Sequence, residues 1–240
     1  MLSVQGIWKY YGSRVALRNV TLTLKRGEVV GLFGANGAGK STLLKTVMGL
    51  LNLSNGWVTL DDSPIKGNTY GKIAFITEEG SFFPDMTPRD HGEFYAAMLP
   101  RFNAARYGKL LEFFALEPDK KARTLSKGQR AKLEIAVGMS RGADYILMDE
   151  PFLGKDLFTR RDFLKLMISI IQPHEAVLIA THQIEEIEMF ITRAVVLHEG
   201  VVVGDILMDA LGERGEGLVE FIKKACGYKE PNAADWLIGL

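Results

Sequence analysis

The sequence has 240 residues, with 29 Lys and Arg set against 29 Asp and Glu, 47% apolar residues and 24% charged ones. That is the balance of a globular enzyme with room for a substantial core, and it leaves no whole-chain basic field that would make nucleic acid the main partner. A single cysteine, Cys226, excludes an internal disulfide and a cysteine metal cluster and fits a reducing compartment.

In chain order, Val4 to Trp8 and Val20 to Leu24 carry the alternation and β-branched content of strands. The apolar run Val29-Val30-Gly31-Leu32-Phe33 follows, then the turn Gly34 to Thr42, GANGAGKST, then the helix-like stretch Leu43 to Met48. Trp57 to Asp61 reads as a further strand, and Ile73 to Ile76 as a short apolar one buried on both faces. Between about Thr87 and Arg141 the spacing becomes helical, over Pro88 to Met98, Ala104 to Ala115 and Lys127 to Met139. About fifty such residues exceed an ordinary strand-to-strand crossover, which predicts an inserted helical lobe. Tyr145 to Met148, Val177 to Ala180 and Ala194 to Leu197 are again short buried-strand runs; a hairpin over Leu197 to Val203 and amphipathic pieces at Leu218 to Ala225 and Ala233 to Leu237 close the chain. The predicted fold is α/β: a core with a mixed sheet, in which the turn GANGAGKST between strand and helix has the form of a phosphate-loop NTPase, an antiparallel β flank and an inserted helical lobe. It is expected to form a single domain, with the core and flank over about 1–86 and 142–206, the lobe over about 87–141 and a C-terminal extension over about 207–240. No apolar run approaches the ~18–20 residues that cross a bilayer. Met1 to Trp8 lacks the charged-then-apolar form of a signal peptide, so a cytoplasmic place is expected, with any membrane role coming through a partner.

The chemistry begins in the glycine-rich turn. Strand, turn and helix start stand in the order that a phosphate-gripping loop needs. Gly34, Gly37 and Gly39 can take backbone angles closed to other residues, so that successive N–H groups converge on an anion at a helix N-terminus. Lys40 can reach the outer phosphates, and Ser41 offers a hydroxyl to Mg²⁺, which prefers oxygen ligands. A nucleoside triphosphate fits such a site. Downstream, Tyr145-Ile146-Leu147-Met148 ends in Asp149 and Glu150. Asp149 is placed to hold the Mg²⁺ water shell, and Glu150 to take a proton from an attacking water. Leu125-Ser126-Lys127-Gly128-Gln129 opens a helix; Ser126 and Gln129 make a capping box without any ligand, but Gly128 weakens a first turn by up to about 1 kcal/mol relative to Ala, which close approach of a foreign group to bare N–H donors would justify.

Taken together these residues resemble the nucleotide-binding subunit of an ATP-binding cassette (ABC) transporter, from Val4 to about Asp205. The motifs come in that family's order: Lys9-Tyr10-Tyr11-Gly12, the loop Gly34 to Thr42, the signature Leu125 to Gln129, the pair Asp149-Glu150, Asp156 in the next loop, and Thr181-His182 after a strand. The resemblance implies that Tyr11 stacks on adenine, with Tyr10 as the competitor. It implies that Gly34, Asn36, Gly37, Ala38, Gly39, Lys40, Ser41 and Thr42 bind the triphosphate, and that His182 contacts the γ-phosphate and holds Glu150 and the water in place. Ser126, Gly128 and Gln129 are implied to face the ATP of a second subunit in a head-to-tail dimer, with Asp156 at the seam. Ser41, Asp149 and Glu78 are the implied metal side, although Glu78 stands where the family usually has Gln. Lys127 replaces a usual glycine, and Phe152-Leu153-Gly154-Lys155-Asp156 departs from the commoner Thr-Ser-Gly-Leu-Asp. Phe82 and Phe83 would suit a groove for a short helix of a membrane subunit, or one of them core packing.

The resemblance implies an ATPase using ATP and Mg²⁺, dimerising as a homo- or heterodimer and driving separate integral membrane permease subunits from the inner face of the cell membrane, in the manner of the export-type branch. The alternative is a soluble cassette ATPase acting on ribosomes or DNA. A GTPase is disfavoured by the lack of a guanine-reading Asn/Thr-Lys-x-Asp motif.

Overall fold

The structure, a computed structural model, describes residues 1–77, 82–151, 164–167 and 169–228. Glu78, Phe152 to Asp156 and the tail piece Ala233 to Leu237 lie outside the described residues.

Strands β1 (Leu2–Tyr11) and β2 (Arg14–Leu24) pair antiparallel, and β1 also pairs antiparallel with β4 (Asn55–Leu60), which carries the short β5 (Ser63–Pro64) at its edge. This is the antiparallel flank. Both leading strands run longer than the alternation suggests, because register shifts between Val4 and Tyr10 and polar outward positions interrupt the pattern while pairing continues. β4 ends at Leu60 rather than Asp61, since Asp61 and Asp62 take left-handed φ values of 48° and 61° and turn the chain.

Among the described residues a second, six-stranded sheet has the order β10-β9-β3-β8-β7-β6. It comprises β3 (Val29–Phe33), β6 (Ile73–Thr77), β7 (Tyr145–Asp149), β8 (Ala176–Thr181), β9 (Arg193–His198) and β10 (Val201–Leu207). Pairing is parallel from β9 through β6, and β10 turns back antiparallel on β9, which makes the sheet mixed. Every residue of β3, β7 and β8 is buried, as continuous apolar runs require when both faces are covered.

Alternate residues of one strand serve the two faces. Tyr145 and Leu147 join Val30, Leu32, Leu43, Leu44 and the flank residues Leu2, Ile7 and Leu17 on one side. Ile146 and Met148 join Phe33, Ile76 and Ile179 on the other, together with Tyr107, Leu110, Leu133 and Ile135 from the inserted helices. Those helices are α2 (Pro88–Met98), α3 (Ala104–Phe113) and α4 (Lys127–Ser140), within two residues of their sequence bounds. Each starts at a capping residue: Thr87, Asn103 and Ser126 each accept from a first-turn N–H with a side-chain oxygen, and of these only the Ser126 cap was read from the sequence. The lobe shares the core of the sheet. It is also tied to it by a buried, two-pronged ion pair from Arg106 on α3 to Glu175 just before β8, at 2.6 and 3.1 Å.

Candidate active site

The order β3-β8-β7 places three strand ends side by side: Phe33 is opposite Thr181, and Asp149 opposite Ala180. The chain leaving each end therefore emerges into one place, outside the carboxyl edge of the parallel sheet. There the loop after β3 passes into α1 (Lys40–Val47) and surrounds a cavity of about 250 Å³.

The loop is glycine-rich for local reasons. A Cβ on Gly34 would lie 2.3 Å from the Leu197 carbonyl oxygen, and Gly39 caps α1 at φ 109° with the Ala16 carbonyl oxygen 2.8 Å from where a Cβ would sit. The loop is stitched to its surroundings through Ala38, whose carbonyl accepts from Gly200 N–H at 2.9 Å. Asn36, Gly37, Gly39, Lys40, Ser41 and Thr42 line the cavity, while Gly34 and the buried Ala38 support it from behind.

Lys40 is only 6% exposed; its Nζ donates to the Gly34 carbonyl at 2.7 Å and the Ala35 carbonyl at 3.3 Å and stands 3.6 Å from Glu150 Oε1. Ser41 Oγ donates to Asp149 Oδ1 at 3.0 Å. Burial pushes the Asp149 carboxyl above the usual carboxylate range; the Ser41 hydroxyl opposes this, and the neighbouring Glu150 charge adds to it. Glu150 lines the cavity in the left-handed region, φ 45°, its N–H donating to the Ala180 carbonyl at 2.9 Å. His182 Nδ1 lies 2.8 Å from Glu150 Oε1; a carboxylate only accepts, so Nδ1 carries the proton. A buried cation, a hydroxyl, two carboxylates and an imidazole thus meet within a few ångströms. This arrangement can bind an anion, hold a hard cation on oxygen, and accept a proton.

Tyr11, 47% exposed, lines the cavity with Lys9 Nζ 5.3 Å from its ring centre, whereas Tyr10 stacks on Trp8 at 6.0 Å; of the two candidates it is Tyr11 that faces the site. Arg14 and Ala16 also line it, and the sequence reading passed over them. The signal was available: a two-residue turn at Gly12-Ser13, Gly12 at φ 58°, sets Arg14 directly opposite Tyr11.

The signature residues lie elsewhere. Ser126, Gly128 and Gln129 do not line this cavity; they begin α4, where Ser126 Oγ accepts from Gln129 N–H at 3.2 Å and Gln129 Oε1 from Ser126 N–H at 3.0 Å. Gly128 meets nothing within 4 Å of a Cβ built on it, so no packing within the described residues demands a glycine there. Glu78 and Asp156 lie outside the described residues. Phe82 packs against the core, and Phe83, 43% exposed, sits edge-on to Phe94 at 5.1 Å.

Comparison with known proteins agrees with this geometry. Residues 17–153 match the family described as ABC transporter. A probable ABC transporter ATP-binding protein of Azorhizobium caulinodans is 32% identical over 211 residues, covering 84% of this chain and 75% of the relative. The lipopolysaccharide export system ATP-binding protein LptB of Escherichia coli is 29% identical over 210 residues, covering 83% of this chain and 87% of that one. In fold, the chain is similar to a dimeric structure of MJ0796, a bacterial ABC transporter cassette, with a TM-score of 0.76 and 24% identity over 87% of this chain and 99% of the other. With more than half its length matched, its loop and Glu150 lining one cavity, and Asp149 and His182 bonded to Ser41 and Glu150 of that lining, the chain belongs to the ABC transporter family, as an ATP-binding and ATP-hydrolysing subunit.

Proposed function

We propose that this chain binds Mg-ATP in the cavity below Tyr11, pairs with a second cassette subunit around two nucleotides, and drives separate membrane permease subunits. In this reading it works on the cytoplasmic face of the cell membrane, in a system of the export type. The observation that carries it is the opening of Lys40 and Glu150, 3.6 Å apart, onto the same glycine-lined cavity.

Within one subunit, the loop N–H groups and Lys40 bind the triphosphate, and Arg14 adds a second cation at the rim. Glu150 takes the proton of the attacking water, and His182, bonded to it, keeps the carboxylate facing the phosphates. Ser41 and Asp149 fit a Mg²⁺: both are oxygen donors, they lie 3.0 Å apart, and a dication would offset the cost of burying the Asp149 charge. Such an ion supplies charge neutralisation of the phosphate oxygens. Among the described residues no group of three or more His, Cys, Asp or Glu could hold a metal without a ligand's help, which suits an ion held largely by phosphate and water. Glu78 is a further proposed metal-side ligand.

Dimerisation is supported by Gly128, which has no local use, and by the dimeric cassette that the fold resembles. ATP would then touch both subunits, and its hydrolysis would remove the contacts that close them, a ligand-driven shift of population. No helix among the described residues is long and apolar enough to cross a membrane, and in this reading the membrane step belongs to the permease subunits. The export assignment leans on LptB, an export-system protein by its name. In the same reading the chain is one domain, with a helical lobe of about 87–141 inserted in a core of about 1–86 and 142–206 and an extension of about 207–240 following.

The test is recovery of the tagged full chain from membranes. The reading expects an integral membrane protein in stoichiometric amount and ATPase activity in the complex. Recovery of ribosomes or DNA in place of such a protein would assign the chain to a soluble cassette ATPase.

A further inference from the structure

The hydroxyl of Thr181 has a single hydrogen to give, and both of its neighbours are defined. Thr181 is fully buried at the last position of β8. Its Oγ1 accepts from Gln183 N–H at 3.1 Å and lies 3.0 Å from Glu150 Oε2. Because a carboxylate oxygen only accepts, the hydroxyl proton is directed at Oε2.

The other oxygen has a different setting. Glu150 Oε1 faces His182 Nδ1 at 2.8 Å and Lys40 Nζ at 3.6 Å. Thus Oε2 points at a residue with no exposed surface, and Oε1 at the side where Lys40 lines the cavity. The main chain of Glu150 is held as well, by the bond from its N–H to the Ala180 carbonyl, in a left-handed conformation that a non-glycine residue adopts only when its surroundings impose it. Three consecutive residues, Ala180, Thr181 and His182, therefore grip one side chain by its backbone, its inner oxygen and its outer oxygen.

We propose that Thr181 is a positioning residue for ATP hydrolysis: its buried hydroxyl fixes the rotation of the Glu150 carboxylate, so that Oε1 is the oxygen held toward the phosphate side. This rests on the reading of Glu150 as the proton acceptor. Thr181 itself is fully buried and does not line the cavity. Its effect is expected in turnover and not in nucleotide affinity, because a carboxylate free to rotate spends only part of its time with an oxygen correctly placed.

The experiment compares Thr181→Ser and Thr181→Ala in the full chain, since both lack the methyl group and differ only in the hydroxyl. ATP binding, kcat, KM and thermal melting are measured, with Glu150→Gln in the same assay. Thr181→Ser is expected to keep kcat within about threefold of the parent. Thr181→Ala should lose about tenfold or more, with the dissociation constant for ATP shared by both within about twofold. Equal kcat for the two variants would overturn the inference, as would a loss of ATP affinity that tracks the loss of turnover. If Glu150→Gln itself turns over normally, the assignment of the proton acceptor fails; if it is inactive while Thr181→Ala is not, only the role of Thr181 fails.

Discussion

The phosphate loop and the start of α4 are both glycine-containing helix N-termini, yet the chain surrounds them very differently. Around the loop, four residues have an intramolecular use: Gly34 and Gly39 avoid carbonyl oxygens, Lys40 is buried against two carbonyls and Glu150, and Ser41 bonds Asp149. At α4, Ser126 and Gln129 satisfy each other, but Gly128 borders open space. The first region is a site whose walls belong to one chain. The second is a helix cap with spare capacity, and the glycine there makes sense once something outside the chain approaches it.

The largest effect should come from removing the proton acceptor on the first side of this comparison. Glu150→Gln is expected to cut turnover by about a thousandfold while leaving ATP affinity within a few-fold, measured by phosphate release and by binding to the same preparation. Near-normal turnover would remove Glu150 from its role. Next, Lys40→Ala should weaken ATP binding by about a hundredfold, or about 3 kcal/mol, since a buried charge-assisted contact is lost; calorimetric titration giving the parent affinity would refute the assignment of the loop.

The second side is probed by Gly128→Asp. Open space around the Cβ position means that the isolated chain should melt at the parent temperature or slightly higher, because any residue other than proline is a better helix former than glycine. Turnover should nevertheless fall by about tenfold or more as the carboxylate meets the partner-bound phosphates. Unaltered turnover would leave Gly128 without a function. The smallest effect is on stability. The folded-state pKa of Asp149 is raised, so the fold favours its protonated form, and stability contributed by that preference is lost as pH rises from the ordinary carboxylate value through the raised one. Asp149→Asn should therefore melt higher than the parent without nucleotide, by a margin that grows from mild acid toward neutral pH. A variant that melts lower across that range would mean that the Ser41 bond outweighs the burial cost.

Much of this was readable from local sequence. The buried strands announced themselves as short apolar runs, α2 began at Pro88 as its helical spacing predicted, and the loop GANGAGKST carried its chemistry in its own spacing. What escaped depended on register and on contact between distant segments. Arg14 enters the cavity only because a tight turn sets it opposite Tyr11. Thr181 meets Glu150 across 31 positions because β7 and β8 end level with each other. Periodicity likewise marked out a helical lobe but could not reveal that Tyr107 and Leu133 would pack into the same cluster as Phe33 and Met148. Tyr11, chosen over Tyr10 by resemblance, does line the cavity; the physical reason, the stacking of Tyr10 on Trp8, is a contact that the sequence does not display.

The central claim is that one chain supplies only part of each reaction centre. It is tested most directly by sedimentation of Glu150→Gln at rising protein concentration with saturating Mg-ATP and, separately, with Mg-ADP. The account predicts a two-chain species retaining two nucleotides with ATP and a monomer with ADP. A protein that stays monomeric with Mg-ATP, even beside its membrane partner, would contradict it.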